Sequence, residues 1–280
     1  MKHQELKDHV AGAVYGFAVG DSVGATTEFM SKEEIKSQYG EVTKQIGGGW
    51  LNLEPGEVTD DTQMMMCVMD AVMMYPDDVA MFQEKCADNF VSWLDTNPKD
   101  VGNTCREGIE FYRATGAFVK HDDMKLGNGS LMRYLPCAIL GLDELNQAQG
   151  EITHPSEVCA SLIQMTSEAL RRSIMGEYTH CDFKGPQNPS GKVTDTFANA
   201  MWYASRGDFN FTLRGTVNDG GDADTIAAIA CSLAGARVGL SGINPKLIAT
   251  LPIEVKKLFG KFIDFSVKFL ESSSNFSVYK

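Results

Sequence analysis

The chain has 280 residues, 43% of them apolar and 22% charged, enough for a large core and too evenly mixed for a disordered, fibrous or membrane-embedded protein. Its formal net charge of −12 repels phosphate backbones and disfavours nucleic acid as a partner, while permitting a small anionic ligand held by local cations. Seven cysteines, with no C-x-x-C pair, fit free thiols in a reducing, cytoplasmic compartment. No secretory segment leads the chain, and no stretch is apolar for the thickness of a bilayer, so no membrane partner is expected.

No long linker, low-complexity run or fixed-period repeat divides the sequence, so residues 1–280 read as one domain, with a monomer the simplest state. Helical periodicity dominates. Residues 7–20 predict a helix whose Gly12, Gly16 and Gly20 form a small stripe that lets another helix approach. A loop from 40 to 59 follows, with Gly47-Gly48-Gly49 and Pro55-Gly56. The helix from about Asp61 to Tyr75 is apolar on every face around Met64–Met69 and belongs in the core. Further helices are expected near 81–95, 104–114, 130–141 (bent at Pro136), 155–175, 193–205 and 208–217. The next, from 225 to about 238, reads Ile226-Ala227-Ala228-Ile229-Ala230 and is again apolar nearly all round; a last pair covers 245–271. Alternating strand patterns are scarce. The expected architecture is all-α: a compact bundle of many short helices around two buried central ones.

Those two helices share a feature. Each opens on Thr and Asp residues after a glycine-bearing loop: Thr59-Asp60-Asp61-Thr62 in one, Asp222-Ala223-Asp224-Thr225 in the other. Helix capping explains one such residue per helix, since Asp and Thr satisfy free N–H groups and suit the positive end of the dipole. Each segment supplies several. If both helices lie in the core, their acidic mouths converge, and four half-buried carboxylates cannot all stay ionised without a cation. Oxygen-only donors select hard ions such as Mg²⁺ or Mn²⁺ over Zn²⁺, and six oxygens suffice for two octahedral ions completed by water.

The motifs Gly20-Asp21-Ser22-Val23-Gly24-Ala25, Glu28-Phe29, Thr59-Asp60-Asp61-Thr62, Gly127-Asn128-Gly129-Ser130-Leu131-Met132-Arg133, Thr153-His154 and Gly220-Gly221-Asp222-Ala223-Asp224-Thr225 occur in one order over roughly residues 10–240. In that order they resemble the ADP-ribosylglycohydrolase family, and with Gly47-Gly48-Gly49-Trp50-Leu51 most of all its dinitrogenase reductase-activating branch. The resemblance implies an all-α fold, two divalent cations (Mg or Mn), and hydrolysis of the bond between ADP-ribose and a protein acceptor, often arginine. It implies Thr59, Asp60, Asp61, Asp222, Asp224 and Thr225 as metal ligands. Asp100 and Glu28 would act at the scissile bond, with Asp61 shared between the metal and catalytic sets. Asn103, Gly129, Ser130 and His154 would contact the substrate. The implied partners are an ADP-ribosylated protein and the ADP-ribose product.

Each assignment has a rival reading. Asp100 and Asn103 also suit the cap of the helix near Thr104. Gly127-Asn128-Gly129-Ser130 is either a turn or a phosphate cradle at a helix start. His154 before Pro155 also fits an inert helix-start position, and His180-Cys181-Asp182 lacks zinc spacing and reads as loop. One departure stands out: Lys192 occupies a place where the branch tends to carry an aromatic residue. It offers a phosphate partner there, with Tyr178 or Trp202 as alternative stacking surfaces. Serine, a nucleic-acid base or an O-acyl group are alternative acceptors, and a non-catalytic ADP-ribose binder is the alternative function. An isoprenoid-synthase site needs D-D-x-x-D, and Asp60-Asp61 is followed by Thr62-Gln63-Met64.

Overall fold

The computed structural model describes residues 2–177, 182, 186 and 188–272. Its regular elements are helices: α1 (His3–Gly24), α2 (Lys32–Tyr39), α3 (Asp60–Met74), α4 (Val79–Leu94), α5 (Asn103–Thr115), α6 (Leu135–Leu140) and α7 (Asp143–Glu151). They continue as α8 (Glu157–Ile174), α9 (Val193–Ala204), α10 (Phe209–Asp219), α11 (Ala223–Val238), α12 (Pro245–Thr250) and α13 (Ile253–Ser272). Among the described residues there is no strand, only two isolated bridges, Gly48 with Leu53 and Gly127 with Lys192. The all-α expectation holds. Among the described residues no helix is long and apolar enough to cross a membrane, and the six cysteines there are free thiols; Cys181, like Tyr178 and His180, lies outside them.

The centre is the antiparallel crossing of α1 and α11. A Cβ placed on Gly12, Gly16, Gly20 or Gly24 would lie closer than 3.0 Å to the carbonyl oxygen of Gly235, Cys231, Ala227 or Ala223, respectively. Four-residue steps on both helices keep the small residues in register, so the two backbones touch. The predicted glycine stripe thus finds its partner in the alanine-rich helix. α11 buries Ala223–Arg237, 15 of its 16 residues, as a helix apolar on all sides must. α3 packs alongside and buries Met64, Met65, Val68 and Met69.

Three expectations are corrected. Residues 130–141 do not form one bent helix: a 3-10 turn at Leu131–Arg133 precedes α6. Pro136 sits in the first turn of α6, where its missing N–H costs nothing, so it starts a helix rather than bending one. α2 and α7 were not expected. α2 buries only Ile35, and α7 buries the polar Asn146 and Gln149 beside Leu145 and Ala148, so neither shows an apolar stripe.

Candidate active site

The first acidic mouth is built by Asp21, which interrupts the apolar run of α1 and is fully buried. Its carboxylate accepts hydrogen bonds from Thr59 N, Thr59 Oγ1 (2.8 Å), Thr62 N and Thr62 Oγ1. Thr59 is the N-cap residue of α3 and accepts from Asp61 N. The free N–H groups of the helix start are therefore met by Asp21 and Thr59. Asp60 and Asp61 are left over from capping, and Asp61 Oδ1 is buried with no hydrogen-bond partner.

The second mouth sits opposite. Asp222 is the N-cap residue of α11 but makes no side-chain cap bond. Its Oδ2 instead accepts from Asn128 Nδ2 at 2.6 Å. Thr225 Oγ1 donates to Asp61 Oδ2 at 3.2 Å, joining the two mouths across 164 positions of chain. Glu28, Asp222 and Asp224 each offer an oxygen within 4.8 Å of the others. Glu28 comes from the turn that follows α1 and is held by Trp50, whose Nε1 donates to Glu28 Oε2 at 2.6 Å. Trp50 reaches it because Gly47, Gly48 and Gly49 all take positive φ (70°, 79° and 68°) and fold the loop onto Ala25 and Thr26.

Glu28, Trp50, Asp60, Asp61, Asp222, Asp224 and Thr225 line one cleft of about 430 Å³, together with Asp100, Asn103, Gly127, Asn128, Gly129, His154 and Gly191, while Asp21 and Thr59 lie buried outside its lining. α5 begins at Asn103 after Gly102, with no side-chain cap bond, so neither Asp100 nor Asn103 caps it. Asp100 Oδ1 accepts from the adjacent Val101 N instead. Ser130 is fully buried beneath the cleft floor.

Behind the Gly127–Ser130 loop lies Arg133, fully buried. Its Nη1 donates to Gly129 O (2.9 Å), Nε to Gln149 Oε1 (2.6 Å), and Nη2 to Gln149 O and Thr153 Oγ1 (both 2.8 Å). With the Gly129 carbonyl tied inward, the trans peptide turns the Ser130 N–H away from Arg133. Thr153 Oγ1, already accepting from Arg133, also lies 2.8 Å from His154 Nδ1 in a hydrogen bond that orients the ring beside the cleft.

The electrostatics follow from burial. Desolvation raises all seven acids around the mouths. Glu28 is pushed up to about 8, with Asp100, Asp222 and Asp60 adding repulsion against the pull of the Trp50 N–H. Asp21 and Asp222 rise to about 6, each held down in part by its hydrogen-bond donors. Asp60, Asp61 and Asp224 rise well above the usual range, because burial and neighbouring carboxylates act together. Asp100 is raised by burial, and its carboxyl lies within hydrogen-bonding reach of Asp60. Burial, with Arg133 and Lys125 nearby, lowers His154 to about 3. The cleft therefore carries surplus negative charge at the helix mouths and a buried cation behind the loop. Oxygen donors crowded this way, one wholly unpartnered, fit hard divalent cations.

Asp21, Asn128 and Trp50 stand in the motifs read from the sequence but were given no role there. A lone Asp inside an apolar helix was a readable signal; Trp50 had none beyond its glycines. Lys192 is exposed, and its backbone pairs with Gly127 of the loop. Trp202 does not line the cleft, and the Arg206 guanidinium lies 4.6 Å from its ring centroid.

The profile of the ADP-ribosylglycohydrolase family matches residues 2–265. The chain is 36% identical to the ADP-ribosyl-[dinitrogen reductase] glycohydrolase of Rhodospirillum rubrum, covering 94% of this chain and 97% of that one. It is 29% identical to the ADP-ribosylarginine hydrolase Tri1 of Serratia proteamaculans, over 85% and 74% of the two. A solved structure titled "ADP-ribosylglycohydrolase-related protein complex" superposes with a TM-score of 0.74 at 28% identity, over 96% of this chain and 99% of the other.

Proposed function

The chain belongs to the ADP-ribosylglycohydrolase family, and from that premise we propose that it frees modified proteins of ADP-ribose by cleaving the N-glycosidic bond to arginine, with divalent cations required. The observation that carries this reading is the meeting of two helix mouths whose carboxylates are surplus to capping, joined by Thr225 and Asp61. The name of the Serratia relative, an ADP-ribosylarginine hydrolase, supports arginine as the acceptor, and that of the Rhodospirillum relative supports an ADP-ribosylated protein as the substrate.

In this reading Thr59, Asp60, Asp61, Asp222, Asp224 and Thr225 would hold two ions, Mg²⁺ or Mn²⁺. Such ions supply Lewis acidity to ribose hydroxyls and to the attacking water. The chain's own groups do the rest. Gly127–Gly129 and His154, which line the cleft, would take the pyrophosphate, with Ser130 beneath them and Arg133 as a buried countercharge behind the loop. The bond from the ribose anomeric carbon to the guanidine nitrogen breaks as a bond to the water oxygen forms. Positive charge builds on the ribose ring in between, and the surrounding carboxylates favour it. Asp100 or Glu28 takes a proton from the water and returns one to the leaving guanidine nitrogen.

The test is incubation with an ADP-ribosylarginine substrate and Mg²⁺ or Mn²⁺, with detection of free ADP-ribose. Release that is abolished by chelation is expected. A folded protein that releases nothing with either ion sinks the arginine reading. Release from a serine, base or O-acyl conjugate in its place would reassign the acceptor.

A further inference from the structure

Beside the acidic mouths the protein exposes two aromatic side chains. Phe29 is 66% and Trp50 52% accessible, among the most exposed large apolar residues of the described chain. Their ring centroids are 5.3 Å apart, and both line the cleft next to Glu28. Such exposure has no packing rationale, since neither ring contributes to the core.

The backbone holds this arrangement at a cost. Phe29 has φ +60°, a left-handed conformation that a bulky residue rarely adopts. It is fixed by a reciprocal pair of bonds to the loop before α11: Phe29 N to Gly221 O at 2.7 Å and Gly221 N to Met30 O at 2.9 Å. The left-handed residue separates two neighbours in role. Glu28 turns inward to Asp222 and Asp224, while Phe29 turns outward beside Trp50. Trp50 is oriented by its own N–H bond to Glu28. Strain at a cleft, over-determined by surrounding bonds, is a mark of a functional position.

The geometry points to Phe29 and Trp50 as an acceptor subsite that selects a planar cation, the guanidinium of the ADP-ribosylated arginine, as it projects from the cleft. This rests on the proposed hydrolysis of ADP-ribosylarginine and names what enforces the acceptor. Aromatic faces attract a guanidinium through their quadrupole, and rings with Glu28 alongside form a cage for a cation rather than for a neutral hydroxyl. The overall charge of −12 adds attraction for a cationic acceptor. Serine-linked ADP-ribose offers no cation and gains nothing from the pair.

The experiment has two arms. In the first, steady-state kinetics on ADP-ribosylarginine compare wild type with Phe29→Ala, Trp50→Ala and Trp50→Phe. Loss of one ring is expected to raise KM roughly 3- to 30-fold, with the affinity for free ADP-ribose preserved. Trp50→Phe keeps an aromatic face, so its KM should rise less than that of Trp50→Ala, while loss of the bond to Glu28 falls on kcat. In the second arm, titration calorimetry measures arginine and its neutral isostere citrulline binding to protein loaded with ADP-ribose and metal. Arginine should bind more tightly than citrulline, and Trp50→Ala should erase the difference. Equal binding of the two, an unchanged KM in both alanine variants, or a parallel loss of ADP-ribose affinity overturns the subsite. A wild type that discriminates arginine from citrulline yet releases no ADP-ribose would instead overturn the hydrolytic reading and leave the subsite standing.

Discussion

His154 is a histidine held neutral. Burial and the nearby Arg133 and Lys125 charges lower it to about 3, and the Arg133–Thr153–His154 chain of bonds holds the ring through Nδ1. The consequence for stability has a definite sign. The unfolded histidine titrates near 6.5 and the folded one far below, so the unfolded state binds the extra proton. Its contribution is fully present above about 6.5 and is lost as pH falls towards 3. NMR of the ring nitrogens should show no titration of His154 between pH 5 and 8. The stability of wild type relative to His154→Gln should decline as the pH drops below 6. A midpoint above 6 would disprove the neutral ring. At this scale the sequence exposed the ligand-type residues but not their supports. Asp100 and Asn103 were legible as polar groups at a helix start, yet only the absence of a cap bond separates them from capping. Arg133 looked like the end of a motif, and its role depends on Gln149, 16 positions away, and Thr153, 20 positions away.

At the scale of the element, the α1–α11 crossing decides where the mouths meet. Gly16 illustrates its tolerance. In an isolated helix alanine is better than glycine by about 1 kcal/mol. Here a Cβ would strike the backbone at Cys231, and overpacking of this kind costs about 1–3 kcal/mol or more. The clash is with main chain rather than a flexible side chain, so the cost wins. Gly16→Ala should lower the unfolding free energy by about 2 kcal/mol. Gly260→Ala, in α13 with nothing within 4 Å of the new carbon, should be neutral or raise it by up to about 1 kcal/mol. Urea melts of the pair check this, and equal effects would mean that the helices are not in backbone contact. The glycine stripe was readable because small residues every four positions have few other uses. α7 was not, because it buries Gln149 to serve Arg133 and the loop and Asn146 to bond Tyr134 O and Ser167 Oγ, and a helix that buries polar groups shows no apolar period. α2 was missed for the opposite reason: it buries almost nothing, although its Ser31–Glu34 capping box stood in the sequence.

For the whole molecule, the site is a stress that the fold sustains. Seven acids in or beside one cleft are raised by burial, five of them also by neighbouring carboxylates, Glu28 to about 8 and Asp21 and Asp222 to about 6. Their unfolded values lie near 4. With folded values above unfolded ones, the metal-free fold binds more protons than the unfolded chain, so its stability falls as pH rises from about 4 towards 8. Cations held by the same oxygens replace those protons, and binding to the folded state alone stabilises it by about 2.7 kcal/mol at a hundredfold excess over Kd. For a chain of this size that corresponds to roughly 5 °C or more in Tm. The increment should grow with pH, since protons compete with the cation for the carboxylates. Thermal melts with chelator and with Mg²⁺ or Mn²⁺, at pH 5.5 and 8, measure it directly. The increment at pH 8 should exceed that at pH 5.5 and shrink in Asp61→Asn, where the unpartnered oxygen is the one replaced or displaced. A Tm indifferent to divalent cations at pH 8 would mean that these carboxylates hold protons rather than metal, and the proposed chemistry would lose its electrophile.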